Sequence, residues 1–362
     1  MRCKKGVVEV QFNWIFILIA GALILLFFTT IILKQKSSTE TKIDISLVSS
    51  LQSIISGSGT VSKLADIKAL PRISVGFDCD SFSIGDLRQP VGKDIVFSPD
   101  FLDGRNLVIR TWDWNIPFRI TNFLYLTVPQ VRYIFVEDGS YESDNLRDIL
   151  MEALPPTTIK GQSAMNWEFV ESIALSGLNE QNNYKVRFVF LYASADPNNI
   201  PPAFNSLKED LTAIVVTRSP DSTQIENGDL TFYTYSGGSL VNSPVSKYIG
   251  TASLLGAIFS EDADTYNCIM LKAFERAEFV ADVYRRRSAE LNAEYSGSGA
   301  CENIFSQAEN LAGNLKSLAG QLSSSNPLDQ FPDSTTIGNL KTAIQSLKDQ
   351  NRLARASCAS VY

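Results

Sequence analysis

The sequence predicts an α/β (or α+β) protein carried on an N-terminal transmembrane helix. Its mixed sheet has covering helices, and an antiparallel hairpin or bundle of long helices closes the chain. Three observations predict this. Trp14–Leu33 holds twenty residues with no charge and only Thr29 and Thr30 polar. Between Arg72 and Ser260, short apolar or alternating runs interleave with helical patterns and turn residues. Beyond Glu261, three long segments repeat apolar residues at three and four positions. The chain therefore divides into 1–36 membrane anchor, 37–71 stalk or amphipathic helix, 72–260 extracytoplasmic body and 261–362 helical bundle.

A twenty-residue helix rises about 30 Å, the hydrocarbon thickness of a bilayer. The basic residues do not set its orientation: Arg2, Lys4 and Lys5 precede the span, and Lys34, Lys36 and Lys42 follow it. The short basic start and cysteines that pair downstream place the bulk outside the cytoplasm. Lys4-Lys5-Gly6, a short polar stretch containing Glu9 and then the apolar helix resemble the class III signal of archaeal type IV pilin-like surface proteins. The resemblance covers about the first 33 residues. It implies cleavage next to Gly6 and a retained helix that anchors the protein or packs into a filament. In this chain Glu9 stands third after Gly6. An uncleaved signal anchor accounts for the same residues.

Ile43, Leu47, Leu51 and Ile54 mark an amphipathic helix closed by Ser56-Gly57-Ser58-Gly59, either a stalk or a helix lying on the body. From Ile73 the pattern turns strand-like, with candidates at 73–77, 81–84, 95–97, 107–114 and 118–127. Trp112 and Trp114 share a strand face, which suits stacking on sugars or burial in a core.

The apolar run Val131–Val136 leads into Glu137-Asp138-Gly139-Ser140 and a helix over 145–154 that stops at Pro155-Pro156. A short helix is expected over 167–175, a strand over 185–192, a helix over 203–211 and a strand over 213–217. A hairpin turned by Gly237-Gly238 joins 230–235 to 239–248. Strand–helix alternation of this kind gives a partly parallel sheet whose ligands lie beyond the C-terminal strand ends. Asp138 and Ser140 fall on that rim. With Tyr141, Glu142 and Ser143 they resemble the metal-dependent adhesion motif of von Willebrand factor A-type domains, which implies Ca or Mg held by Asp138 and Ser140. The second serine is one residue late, and a polar turn capping the next helix explains the same residues. Glu261-Asp262-Ala263-Asp264 is either a calcium ligand set or a helix start capped by Asp264 or Thr265.

The closing helices are expected over 265–294, 301–322 and 334–356. Folding the last two back about a turn near Asp329 brings Cys301 and Cys358 to one end, 28 and 29 residues from the pivot, so they are expected to be bonded. Cys268 lies 33 residues before Cys301, roughly 50 Å along a straight helix, which leaves Cys79 as its partner. Cys3 stays cytoplasmic.

Composition excludes several classes. The chain has no histidine, which removes His-based acid–base catalysis and His metal sites. Residues 1–36 carry five cations against Glu9, so the remaining chain holds −11 against the formal total of −7. Such an acidic body is unsuited to nucleic acid. No Gly-rich phosphate loop follows a strand, and no catalytic constellation is present, so the chain is not expected to be an enzyme or to carry a cofactor. The expected role is structural or interactive at the cell surface, as a pilin-like or envelope component or an accessory subunit. Its partners would be the lipid bilayer and other membrane or surface proteins, possibly further copies of itself. The alternative is a cation-dependent adhesion module at the Asp138 rim.

Overall fold

Helix α1, Val7–Ser58, runs unbroken through both the apolar span and the amphipathic segment. Its 52 residues extend roughly 78 Å. The structure is a computed structural model and describes residues 7–179, 181, 183–219, 226–236, 239–325 and 334–362. Cys3, Gly6, the Gly237-Gly238 turn and the turn around Asp329 lie outside the described residues.

The two halves of α1 have opposite surroundings. The window Trp14–Ile31 is 0% buried. Leu47, Leu51 and Ile55, one turn apart, are buried in the body, where α1 packs on the first sheet.

That sheet contains β1 (Ala65–Phe77), β2 (Ser81–Ile84), β3 (Leu87–Pro90), β4 (Val96–Phe97), β5 (Phe101–Asn115) and β6 (Arg119–Thr127). The order is β3-β2-β1-β5-β6-β4, antiparallel except for β4 on β6. β1 starts at Ala65, seven residues before the region expected to begin at Arg72. Its register with β5 shifts between Ala69 and Ile73, around Pro71, which has no N–H for the ladder and is accommodated at a bulge.

The second sheet comes next: β7 (Val131–Glu137), α2 (Tyr141–Ala153), a small hairpin of β8 (Thr158–Ile159) and β9 (Gln162–Ser163), then β10 (Asn166–Glu171), β11 (Lys185–Phe190), β12 (Leu211–Arg218), β13 (Asn227–Ser236), β14 (Ser239–Asn242) and β15 (Ser246–Ile249). The order is β10-β7-β11-β12-β13-β14, with β15 also on β13. The first four are parallel and β13 is antiparallel to β12.

Two expected helices are not formed. The 167–175 segment is strand β10 followed by a 3-10 turn, Ser172–Gly177. Its Trp, Phe and Val side chains suit a strand, and pairing Trp167 with Tyr133 decides the outcome. The 203–211 segment holds two 3-10 turns, Pro202–Phe204 and Lys208–Asp210, because Pro201-Pro202 holds the entry extended.

Four helices complete the chain: α3 (Thr251–Phe259), α4 (Ala263–Glu294), α5 (Ala300–Ser323) and α6 (Ser334–Ser357). The cap of α4 is Asp262, whose side chain accepts from Thr265 N at 2.7 Å, rather than Asp264 or Thr265. α5 packs on both α4 and α6. Cys79 is bonded to Cys268, with Cα atoms 6.0 Å apart, and Cys301 to Cys358, at 5.9 Å. One buried apolar cluster runs from Leu47 to Leu347 and takes in α1, both sheets and the long helices. A second, smaller one lines the other face of the parallel strands under the 3-10 turns, through Phe188, Phe190, Leu175 and Phe204.

The split along α1 is testable by thermal unfolding of detergent-solubilised protein. Leu51→Ala is expected to lower body stability by about 3 kcal/mol, the cost of a truncated core leucine. Leu25→Ala, on the exposed half, is expected to leave it unchanged.

Candidate functional site

The Asp138 rim lies where the strand order reverses. β7 leads through α2 to β10 on one side, and β11 then lies on the other side of β7. In open α/β sheets a crevice at such a point is where ligands bind. Here Asp138 Oδ1 accepts from Ser140 N at 3.0 Å. Ser140 is the N-cap of α2, its hydroxyl accepting from Ser143 N at 3.2 Å. Gly139 between them has φ +73°, a left-handed turn that glycine takes without strain. Neighbouring Glu137 is buried and accepts from Arg147 at 3.0 Å. Burial, with Asp138 nearby, pushes the Tyr192 phenol up, and Ser172 partly opposes it. Ser140 Oγ thus caps α2, and Asp138 Oδ1 holds the turn that precedes it.

Among the described residues, one other trio of potential metal ligands comes together: Cys79, Asp80 and Cys268. Both of its sulfurs are used in the disulfide. The paired tryptophans have separate fates. Trp114 is buried and donates to Ile249 O at 2.8 Å. Trp112 is covered by cations, Lys63 at 4.5 Å and Arg110 at 4.7 Å from its ring.

Among the described residues, the exposed half of α1 carries most of the exposed large apolar side chains, with Trp14, Phe16, Leu25 and Phe27 each more than 60% exposed. Its two polar side chains satisfy themselves. Thr29 Oγ1 donates to Leu25 O, and Thr30 Oγ1 to Leu26 O, each at 2.7 Å. In hydrocarbon a hydroxyl has no water to bond, so this back-bonding is how threonine is tolerated there.

A third site is one that the sequence reading misses. Lys185 opens β11 with its side chain 4% exposed. Its ammonium touches two carboxyl groups: Asp100 Oδ1 at 2.5 Å, just before β5, and Glu261 Oε1, between α3 and α4. Asp210 is 3.9 Å away. Two residues on, the buried Arg187 donates to Ala257 O at 3.0 Å, Glu261 O at 3.1 Å and Thr212 Oγ1 at 2.9 Å. The signal is present in Lys185-Val186-Arg187, where two cations alternate in an otherwise apolar strand and so share one face.

Electrostatics in this cluster are governed by burial. Burial pushes the Glu261 carboxyl up to about 7; Lys185 pulls it back, and a hydrogen bond with Asp100 adds to the rise. Asp100 is also pushed up by burial, but the bonds from Glu261 and Lys185 outweigh this and hold it below the usual carboxylate range. Burial lowers Lys185, and its two carboxyl neighbours more than reverse that. Burial thus favours a proton on Glu261, while Asp100 and Lys185 are favoured in their charged forms.

Comparison with protein-family models, with curated proteins and with solved structures finds no match to this chain.

Glu261 makes stability pH-dependent. Its pKa is near 4.5 when unfolded and about 7 when folded. Between those values the folded state binds more protons, so this group's contribution falls as pH rises through the window. Comparing denaturant midpoints at pH 5 and pH 7.5 for the wild type and Glu261→Gln should show a smaller loss in the variant. An equal loss in both would remove Glu261 as the source.

Proposed function

We propose that the chain is a single-pass membrane protein whose body stands outside the cytoplasm and serves a structural or interaction role at the cell surface. The observation that carries this is the division of α1: one continuous helix, with no residue buried over Trp14–Ile31 and with Leu47, Leu51 and Ile55 buried. Water is an unfavourable surrounding for the first half. Each Leu, Ile, Phe or Val at a bilayer centre instead contributes about −0.3 to −0.6 kcal/mol to insertion. The self-bonded hydroxyls of Thr29 and Thr30 support the same reading. Two disulfides in the body support an oxidising compartment.

The basic-glycine-apolar start and a long helix exposed in its first half, packed in its second, support a pilin-like surface component. In that reading Gly6 marks the processing site, and the exposed half of α1 meets lipid or the same segment of other copies. The two-sided packing of α5, and the bond from its start to the chain just beyond α6, support reading α4, α5 and α6 as an antiparallel bundle. The role is not enzymatic in this reading. The bundle and acidic body offer partners a surface rather than a reaction centre.

Fractionation tests the proposal. The full chain is expected to remain in membranes after carbonate washing and to need detergent. The chain lacking Trp14–Leu33 is expected to be soluble, folded and disulfide-bonded. Recovery of the full chain in the soluble fraction would overturn the anchor. An N-terminus next to Gly6 and filaments in sheared material would carry the pilin-like reading, and a native N-terminus with no filaments would leave the plain signal anchor.

One observation favours a second reading. The Asp138–Ser140 turn occupies the reversal point of the parallel strands, which supports a cation-dependent adhesion module there. Calcium or magnesium should then raise the melting temperature of the wild type, and the rise should vanish in Asp138→Ala. No rise with either ion would sink this reading.

A further inference from the structure

The Lys185 cluster has more parts than an ion pair requires. One carboxylate suffices to neutralise one ammonium, yet two carboxyl groups converge on this amine. Both accept from the same nitrogen, which brings the two carboxyl groups side by side. The amine and Glu261 are shielded, at 4% and 9% side-chain exposure, whereas Asp100 is 59% exposed. The Lys185 nitrogen, the Asp100 carboxyl group and a second acid able to relay protons are therefore held together, with an open side at Asp100.

We infer that Lys185 and Asp100 are a site of covalent modification, in which they condense to an intramolecular amide with Glu261 relaying the protons. The step balances without any further reactant. The proton of the ammonium passes to the Asp100 carboxylate, leaving an amine facing a carboxylic acid. Lys185 Nζ adds to Asp100 Cγ, forming the N–C bond. Glu261 gives its proton to the oxygen and takes one from the nitrogen. One C–O bond then breaks, and that oxygen leaves as water. Glu261 finishes protonated as it began, and nothing is oxidised or reduced.

Two physical effects drive the reaction forward. Fixed placement makes the encounter unimolecular, and effective molarities of well-oriented groups are very large. Burial of the amine and of Glu261 limits water at the nitrogen and at the relaying acid, while the released water exits past exposed Asp100. The product also relieves a desolvation cost, because a buried ammonium and its counter-ion become a neutral amide. The bond would join the residue preceding β5 of the first sheet to the first residue of β11 in the second, 85 residues apart. It would lock the sheets together in a way that reduction cannot undo. None of this depends on the membrane reading.

Mass spectrometry of the full chain, extracted in detergent, reduced and alkylated, tests it. The peptide carrying Asp100 should be found joined to the peptide carrying Lys185, lighter than the two together by one water. The link should survive boiling with reductant. Asp100→Ala, at an exposed position, should fold and lack the link. Glu261→Gln should fold, retain Lys185 and Asp100, and yield them on separate peptides. Separate, unmodified peptides from the wild type would overturn the inference. A linked pair in Glu261→Gln would overturn the role given to Glu261.

Discussion

The structure depends on burying a short helix completely. From Ala252 to Phe259 every residue of α3 is buried, and it packs against strands of both sheets and against α2 and α4. A helix in that position cannot leave its terminal N–H and C=O groups to water. The surrounding chain supplies partners. Ser253 N and Leu254 N donate to Gly250 O at one end, and at the other Ser260 N and Oγ donate to Gly256 O and Arg187 reaches Ala257 O. The fit also limits side-chain size. A Cβ on Gly256 would lie 2.7 to 2.9 Å from the ring of Phe97, which is itself buried among Phe123, Tyr125 and Tyr266 and has nowhere to move.

Arg110 repeats the device. It leaves β5 of the first sheet and donates to Ala153 O at 2.9 Å and Glu152 O at 3.5 Å, at the C-terminus of α2. Neither α2 nor α3 has a basic residue in its own last turn. In each case a buried guanidinium from a strand meets the negative end of the helix dipole. Burial pulls the Arg187 guanidinium down to about 10, still far above neutrality, so it remains charged. Such contacts are directional in a way that apolar packing is not, and they fix how each helix end lies on the strands.

How much the sequence revealed depends on how local each signal is. The unbroken apolar run of α1 and the periodic seams of α4, α5 and α6 extend over many residues, β7, β11 and β12 stand out as apolar runs between turn residues, and signals of this local kind survive tertiary context. The two disulfides were legible because folding the last two helices back brings Cys301 and Cys358 together and the length of the helix before them keeps Cys268 away from both. β10 was misread because its strand state depends on β7, more than thirty residues earlier. α3 gave no signal because a helix buried all round has no face to detect. Ser140 as a cap was legible from its own turn. The Lys185 cluster was not, since Asp100 and Glu261 lie 85 and 76 residues away from it in the chain, and charged residues at such separations have no pattern a single sequence can display.

If α1 anchors the protein as proposed, the path of force from it bears on where cross-links would lie. Tension on the apolar half of α1 would reach the body through its buried half, whose contacts at Leu47, Leu51 and Ile55 are apolar and yield gradually. It passes next to β1, which is paired on both sides, with β2 and with β5, so the load enters the middle of the first sheet rather than an edge. From there two routes lead outward. One is the Cys79–Cys268 bond from the turn after β1 to α4. The other is Asp100, just before β5, to Lys185 at the start of β11. The first sheet is thus the junction through which the anchor holds both the helices and the second sheet. Of these two routes the disulfide alone is covalent in the structure, and an ion pair on the other would leave the second sheet held by packing and hydrogen bonds. An amide at Lys185 would make the two routes equal in kind.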